Sequence, residues 1–289
     1  MEIRCIILKK EQQEQMIRCG WIPKELDIVP DESRLFFGGI DEDKRLKAIA
    51  VYSLPQRERR EVTLEYVTVI QECRRQGVGT KLMQLAEQQL QLLGRKRLSC
   101  EWHGNKQDLE NVTAFLQKAG FRPTMKPAHM VVYSRGQFQG SELQKLRDTP
   151  SKLWKAVVRI DDYHDLRLRR LLAQYERTGF YIEDRDYRPE LCRFYIEGGE
   201  IKGAACMRRM RSGDLITVKG YLSPDLQNKF AMTLLIAVLI HDLSTILEPE
   251  IKIYLKLYHK NFYESVKKLF GEGQKEILFR EYERVMGGN

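Results

Sequence analysis

Seven consecutive residues, Arg74, Arg75, Gln76, Gly77, Val78, Gly79 and Thr80, have the composition of an anion cradle. Two guanidinium groups bring positive charge, and two glycines leave backbone that a ligand can approach with no Cβ in the way. Ahead of them, Leu64 to Val69 alternates with period two and is rich in strand-favouring residues, which predicts a strand. Leu64, Tyr66 and Thr68 are expected on one face, and Glu65, Val67 and Val69 on the other. Beyond the glycines, Leu82, Leu85, Ala86, Leu90 and Leu93 form one apolar stripe of a helix that opens near Val78. The first N–H groups of such a helix have no partner inside it, and with the macrodipole they offer positive potential to a phosphate. A plainer alternative is a tight strand-to-helix connection, which a Gly-rich turn alone would satisfy. Neither GxGxxG with an acidic residue downstream nor GxxxxGK[ST] is present, so the Rossmann and P-loop fingerprints are excluded.

Arg74-x-x-Gly77-x-Gly79 after a strand resembles the coenzyme A pyrophosphate loop of the GNAT superfamily of N-acetyltransferases. A second segment, NVTAFLQKAGF from Asn111 to Phe121, is similar to the family's other signature, a short helix ending in Gly-Phe. The resemblance implies transfer of an acetyl group from acetyl-CoA to a primary amine in a ternary complex, with no covalent acyl-enzyme. It implies that Val67, Thr68 and Val69 offer backbone groups to the pantetheine. Arg74, Arg75, Gln76, Gly77, Val78, Gly79 and Thr80 would hold the pyrophosphate, and Asn111 would touch the coenzyme. It also implies that the next strand, LSCEW, splays from the first to admit the thioester. Glu65 is then the first candidate base and Glu101 the second, each with a solvent-facing strand residue as the alternative. Gly20, Trp21 and Ile22 lie where the family lines its acceptor pocket, although Trp21 suits a core equally well. The chain departs from the family pattern at Leu116, which fills the slot that often carries a proton-donating Tyr. A thiolate is still a tolerable leaving group at neutral pH, with a reference thiol pKa of about 8.5. Asn111 stands two positions nearer to Gly120 than the family's usual Asn, and a helix N-cap is its alternative role.

The elements that position these groups repeat. A register shift of 153 residues lays Thr80 on Thr233 and matches Leu82 with Leu235, Leu85 with Val238 and Leu90 with Leu243. The same shift lays Arg74 on Gln227, Gly77 on Phe230 and Gly79 on Met232, so the copy keeps the apolar stripe and loses the cradle. NFYESVKKLFG from Asn261 follows the strand-like IKIYLKLY as Asn111 follows RLSCEW. Two hairpin patterns, one joined at Asp41 to Lys44 and one at Gly198-Gly199, precede the two motif strands. The expected architecture is α/β: two tandem domains of mixed, mostly antiparallel sheet flanked by helices. Residues 1–136 would be the intact domain, 137–151 a polar linker and 152–289 a degenerate copy.

At 289 residues, 43% hydrophobic and 31% charged, the chain suits two soluble globular domains. Its longest apolar run, Phe230 to Ile240, is about half the roughly 20 residues a membrane span needs. MEIRCIILKK reads as a first strand rather than a signal peptide, which leads to a cytoplasmic expectation. Six cysteines without a CxxC pair and five histidines without HxxxH spacing give no expectation of a metal. Cys73 adjoins the basic turn yet has no local base to activate it. The net charge of +9 favours an anionic partner such as coenzyme A. The clusters Arg57 to Arg60, Arg167 to Arg170 and Arg208 to Arg211 lack interleaved aromatics, so solvated faces outrank a nucleic-acid surface. The acceptor amine is unidentified, a small molecule or a protein amine, and a homodimer remains open. Two rivals to an enzyme of this kind stand beside it: a non-catalytic acyl-CoA-binding tandem module, and a tandem aminoacyl transferase.

Overall fold

Adjacent apolar pairs such as Phe36-Phe37 and Ile49-Ala50 cannot serve one face of a strand, because successive side chains point to opposite sides. A sheet with helices on both faces buries both members. In the computed structural model all four are buried, Phe37 and Ala50 in one core and Phe36 and Ile49 in another. The structure describes residues 2–23, 26, 28–54, 61–138, 152–210, 212–226 and 230–286. It divides into two units, residues 1–127 with 278–289, and residues 128–277.

The first unit runs β1 (Arg4–Ile7), α1 (Lys10–Arg18), β2 (Arg34–Ile40), β3 (Leu46–Ser53), β4 (Glu61–Val69), α2 (Val78–Leu92), β5 (Arg97–Gly104), α3 (Lys106–Lys118) and β6 (Arg122–Pro123). The second runs β7 (Ala128–Ser134), β8 (Val157–Val158), a helix Leu166–Ala173, β9 (Cys192–Glu197), β10 (Glu200–Arg209), β11 (Leu215–Thr217), β12 (Tyr221–Leu222), a helix Ala231–Ile246, β13 (Lys252–Leu257) and a helix Lys260–Phe270. The last strand, β14, spans Lys275–Val285, and its residues from 278 onward belong to the first unit.

In the first unit the strand order is β1-β2-β3-β4-β5-β14, antiparallel throughout except for the parallel pair β4–β5. Leu82, Ala86 and Leu90 of α2 are fully buried against Phe37, Ala50, Val62 and Leu64, together with Leu116 of α3. Burying each of those α2 leucines contributes about 2 kcal/mol. Leu93, which the stripe includes, caps the helix and is exposed. Met16 and Ile17 of α1 cover the opposite face through Phe36, Ile49 and Val51.

A β-bulge in β4 corrects the expected alternation. Val51 pairs with Tyr66 and Tyr52 with Leu64, which leaves Glu65 as the extra residue and flips the strand by one position. Leu64, Val67 and Val69 consequently pack on the α2 side, whereas Tyr66 packs against the α1 side.

In the second unit the order is β7-β13-β11-β10-β9-β8, with β12 on β10, and β11–β13 is its parallel pair. The helix Ala231–Ile246 buries Leu235, Leu239 and Leu243, so the stripe matched by the sequence repeat faces a core in both units. Gly198 and Gly199, with φ of 58° and 79°, make the β9–β10 hairpin turn.

These units differ from the division 1–136 and 152–289 suggested by sequence. Residues 139–151 of the expected linker lie outside the described residues. The strand β7 pairs with β13, Ile253 opposite Tyr133, and so completes the second unit. Residues 278–285 pair with β5, Tyr282 opposite Cys100, and so complete the first. Alternating side chains define a strand and leave its pairing partner open, so this exchange leaves no mark on the local pattern.

Candidate active site

The cradle sits between β4 and α2. After a turn of 3-10 helix at Gln71–Cys73, the Arg74 side chain donates from Nε to the Val69 carbonyl at 3.0 Å. Gln76 Nε2 donates to the Glu72 carbonyl at 2.8 Å. Arg75 adopts φ of 61° and Gly77 φ of 79°, and α2 opens directly at Val78. No side chain caps this helix start, so its first N–H groups face outward. The two glycines serve different purposes. A Cβ on Gly77 would meet nothing within 4 Å, so there the backbone conformation demands glycine and the space in front of it is open. A Cβ on Gly79 would lie 3.2 Å from Val69 Cγ2 and 3.3 Å from Phe115 Cε2, so there the packing of β4 and α3 demands it. A left-handed non-glycine residue beside an open helix start fits a pyrophosphate site, where strained backbone and bare amides recur.

Next to the cradle the sheet forks. Parallel pairing of β4 with β5 runs from Glu61–Arg97 to Leu64–Cys100 and ends there. Both strands continue, β4 to Val69 held on its outer side by β3, and β5 to Gly104 held by β14. Val67, Thr68 and Val69 on β4 and Glu101, Trp102 and His103 on β5 therefore lie beyond the end of that ladder, on strand edges that no longer pair with each other. Such edges are templates for an extended ligand.

Glu101 and His103 lie two apart on β5 and share a face. His103 Nε2 is hydrogen-bonded to Glu101 Oε1, and the imidazole stands edge-on to Phe279 with ring centres 6.3 Å apart. Both side chains are partly exposed, at 27% and 35%. A carboxylate that fixes an imidazole beside a cleft is a general-base arrangement. Histidine spacing suited to a metal does not single out His103. Glu-x-His on a strand was the available signal.

Glu65 is placed differently. Arg34 grips it with both arms, Nε to Oε2 at 2.7 Å and Nη2 to Oε1 at 3.3 Å, and Arg34 also reaches Asp31 at 3.0 Å. Its lone pairs are thus partly committed to a guanidinium. The neighbouring Tyr66 hydroxyl donates to the Trp21 carbonyl at 3.0 Å, which fixes the segment after α1, while Ile22 is core.

Asn111 is exposed in the middle of α3. Its alternative reading as an N-cap is corrected, since Asn105 caps the helix by accepting the Asp108 N–H at 2.9 Å. Leu116 is buried, as is Leu109 two positions before Asn111. Cys73 is buried too. Among the described residues no group of three His, Cys, Asp or Glu is placed to hold a metal, and no helix is long and apolar enough to cross a membrane.

Residues 4–121 match the family model described as "Acetyltransferase (GNAT) family". The whole chain is similar to a tandem GNAT protein from the clavulanic acid biosynthesis pathway, at 13% identity and a TM-score of 0.58 over 100% of both chains. It is similar to a GCN5-related glucosamine N-acetyltransferase region of a fungal multi-domain β-N-acetylglucosaminidase, at 12% identity and a TM-score of 0.67 over 98% of this chain and 38% of that one. A GCN5-related N-acetyltransferase from Sphaerobacter thermophilus gives 14% identity and a TM-score of 0.52 over 94% of this chain and 85% of the other. At such identities the likeness speaks for the fold. No curated protein matches the sequence.

Proposed function

We propose that residues 4–121, which match the GNAT acetyltransferase model, form an acetyltransferase domain, and that the protein transfers an acetyl group from acetyl-CoA to a primary amine by direct attack in a ternary complex. The observation that carries this reading is the fork, open beyond Leu64–Cys100, with a phosphate cradle at one end and the Glu101–His103 pair at its edge.

Each group has a task that its placement permits. The bare N–H groups from Arg75 to Thr80, with Arg74 beside them, hold the pyrophosphate. The β4 edge at Val67 to Val69 takes the amide arm as an added strand would, which aligns the thioester for attack. His103, oriented by Glu101, removes the proton that the attacking amine must lose. Glu65, first in the sequence ranking, passes to a supporting role, because Arg34 holds its carboxylate away from proton transfer. Tyr66 and Trp21 border the side from which the amine arrives. The acceptor is a primary amine of a small molecule or a protein, and the second unit carries no coenzyme site of its own.

The test is acetyl-CoA consumption against a panel of amines by the parent protein and by His103→Gln, Glu101→Gln and Glu65→Gln. Turnover that falls most with His103→Gln supports the assignment. Turnover that falls only with Glu65→Gln returns the base to β4, and no turnover with unimpaired acetyl-CoA binding favours a binding module, the reading that Leu116 would suit.

A further inference from the structure

Leu109, Thr113 and Leu116 recur at helical spacing on one side of α3, and two of the three are buried and apolar. Thr113 is the polar member. Its Oγ1 lies 2.7 Å from the Tyr282 hydroxyl, and Arg280 Nη1 approaches the same oxygen at 3.5 Å. Both partners come from β14. Tyr282 is paired with Cys100, the residue at which β4 and β5 part, and Arg280 is paired with Trp102, one step into the fork. A hydroxyl, a phenol and a guanidinium are thus gathered at the root of the fork, on the side covered by α3.

A hydrogen bond between two side chains contributes little net stability, and an apolar pair of similar shape would join β14 to α3 about as well. The group has a use that an apolar pair lacks. When the amine nitrogen bonds to the acetyl carbon, the carbon–sulfur bond breaks and its electron pair stays on sulfur. That charge needs a donor, and Leu116 has no proton to give.

We propose that Thr113 donates a hydrogen bond to the departing sulfur, while Tyr282 and Arg280 act through Thr113 as positioning residues, a role that rests on the acetyl-transfer reading of the fork. The amine proton passes to His103. The thiolate is held by the Thr113 hydroxyl and by the positive potential of Arg280 until it leaves and takes a proton from water. Full proton transfer to the sulfur is not required, since a thiolate, with a reference thiol pKa of about 8.5, is a tolerable leaving group. The C-terminal strand, by this account, supplies the first unit with polar groups that its own α3 no longer carries.

The test uses the full chain with Thr113→Val, Thr113→Ser and Tyr282→Phe. Two quantities are measured: the rate with acetyl-CoA, and the calorimetric affinity for coenzyme A relative to desulfo-coenzyme A between about pH 7 and about pH 9, a range that spans the reference thiol pKa. Thr113→Val should lower kcat about 100-fold, the effect of losing one preorganised donor, with KM little changed. Thr113→Ser should restore most of the rate, and Tyr282→Phe should cost about tenfold. The parent should prefer coenzyme A increasingly as the thiol ionises, and Thr113→Val should lose that pH dependence, which a purely structural bond would not influence. A Thr113→Val protein with kcat within about twofold of the parent and the same pH-dependent preference overturns the inference while leaving acetyl transfer intact. Failure of the parent itself to bind acetyl-CoA overturns both.

Discussion

The parallel strand pairs β4–β5 and β11–β13 begin alike and end differently. In the first unit pairing stops at Leu64–Cys100 and the fork beyond it is open. In the second it stops at Ile216–Tyr254, and the next residue closes the gap. Thr217 Oγ1 donates to the Tyr254 carbonyl at 3.4 Å and accepts the Lys256 N–H at 2.8 Å, so one side chain satisfies strand-edge groups that an extended ligand would otherwise take. The helix starts diverge in the same sense. Gly77 in left-handed conformation opens α2, whereas Phe230, at φ of −98°, precedes Ala231, and Met232 reaches so close to Gly220 that a Cβ there would lie 2.7 Å from its Cε. Both units keep the fold, because fold depends on the apolar stripe, and they part at the helix start, where the first has a left-handed glycine and the second a phenylalanine.

The severest expected change removes residues 278–289. The first unit would lose Phe279 and Tyr282, both fully buried, and would lose Arg284, whose Nη2 lies 2.6 Å from Glu87 Oε2. Burial pushes the Glu87 carboxyl pKa up and Arg284 opposes that shift, so without Arg284 a buried acid stands uncompensated. That loss alone costs about 3–5 kcal/mol, and each aromatic side chain a similar amount, against a typical total of about 5–15 kcal/mol. Thermal melting and acetyl-CoA titration of the shortened chain should show that residues 1–127 neither fold cooperatively nor bind.

Next in size is His103→Gln, which should reduce kcat by about 100-fold or more with acetyl-CoA affinity preserved, and Glu101→Gln should follow with a smaller loss. Steady-state kinetics beside calorimetry separates the two effects.

Thr217→Ala probes the closed fork from the other direction. It removes the Thr217 hydroxyl from the Tyr254 carbonyl and the Lys256 N–H and should cost about 1 kcal/mol in a denaturant titration. It should create no second coenzyme site, since Phe230 and Met232 still stand where the glycines would be needed.

The smallest effect belongs to Asp165, which caps the helix Leu166–Ala173 by accepting the Arg167 N–H at 2.8 Å and pairs with the Arg167 guanidinium. Arg167 holds the Asp165 pKa down at about 2, below the ordinary 3.8. A depressed carboxylate stabilises the fold above its unfolded pKa, and the contribution fades as pH falls through the folded value. Asp165→Ala should therefore cost about 1 kcal/mol at pH 7 and progressively less as pH drops from about 4 toward about 2, read from melting curves.

How far the sequence reached follows from which features are local. The cradle was legible because its residues are contiguous and each type has a physical reason to be there, and the repeat was legible because apolar spacing survives when chemistry is lost. The faces of β4 beyond Leu64 were not, since one bulged residue at Glu65 reverses every later side chain. Glu65 itself looked free because Arg34, its partner, lies 31 residues away in sequence. Asn111 looked like a helix start because the true cap, Asn105, precedes a polar first turn. The exchange of β7 and β14 between the units was invisible for the reason that Tyr282 shows: an alternating strand fits either sheet, and only the pairing with Cys100 decides.

One working coenzyme site and one closed copy are expected in each chain. Calorimetric titration of acetyl-CoA into the full chain, beside a Gly77→Phe, Gly79→Met double variant that carries the second unit's residues, tests this most directly. One molecule bound per chain by the parent and none by the variant is the predicted result. Two molecules per chain, or binding that survives in a folded double variant, would contradict it.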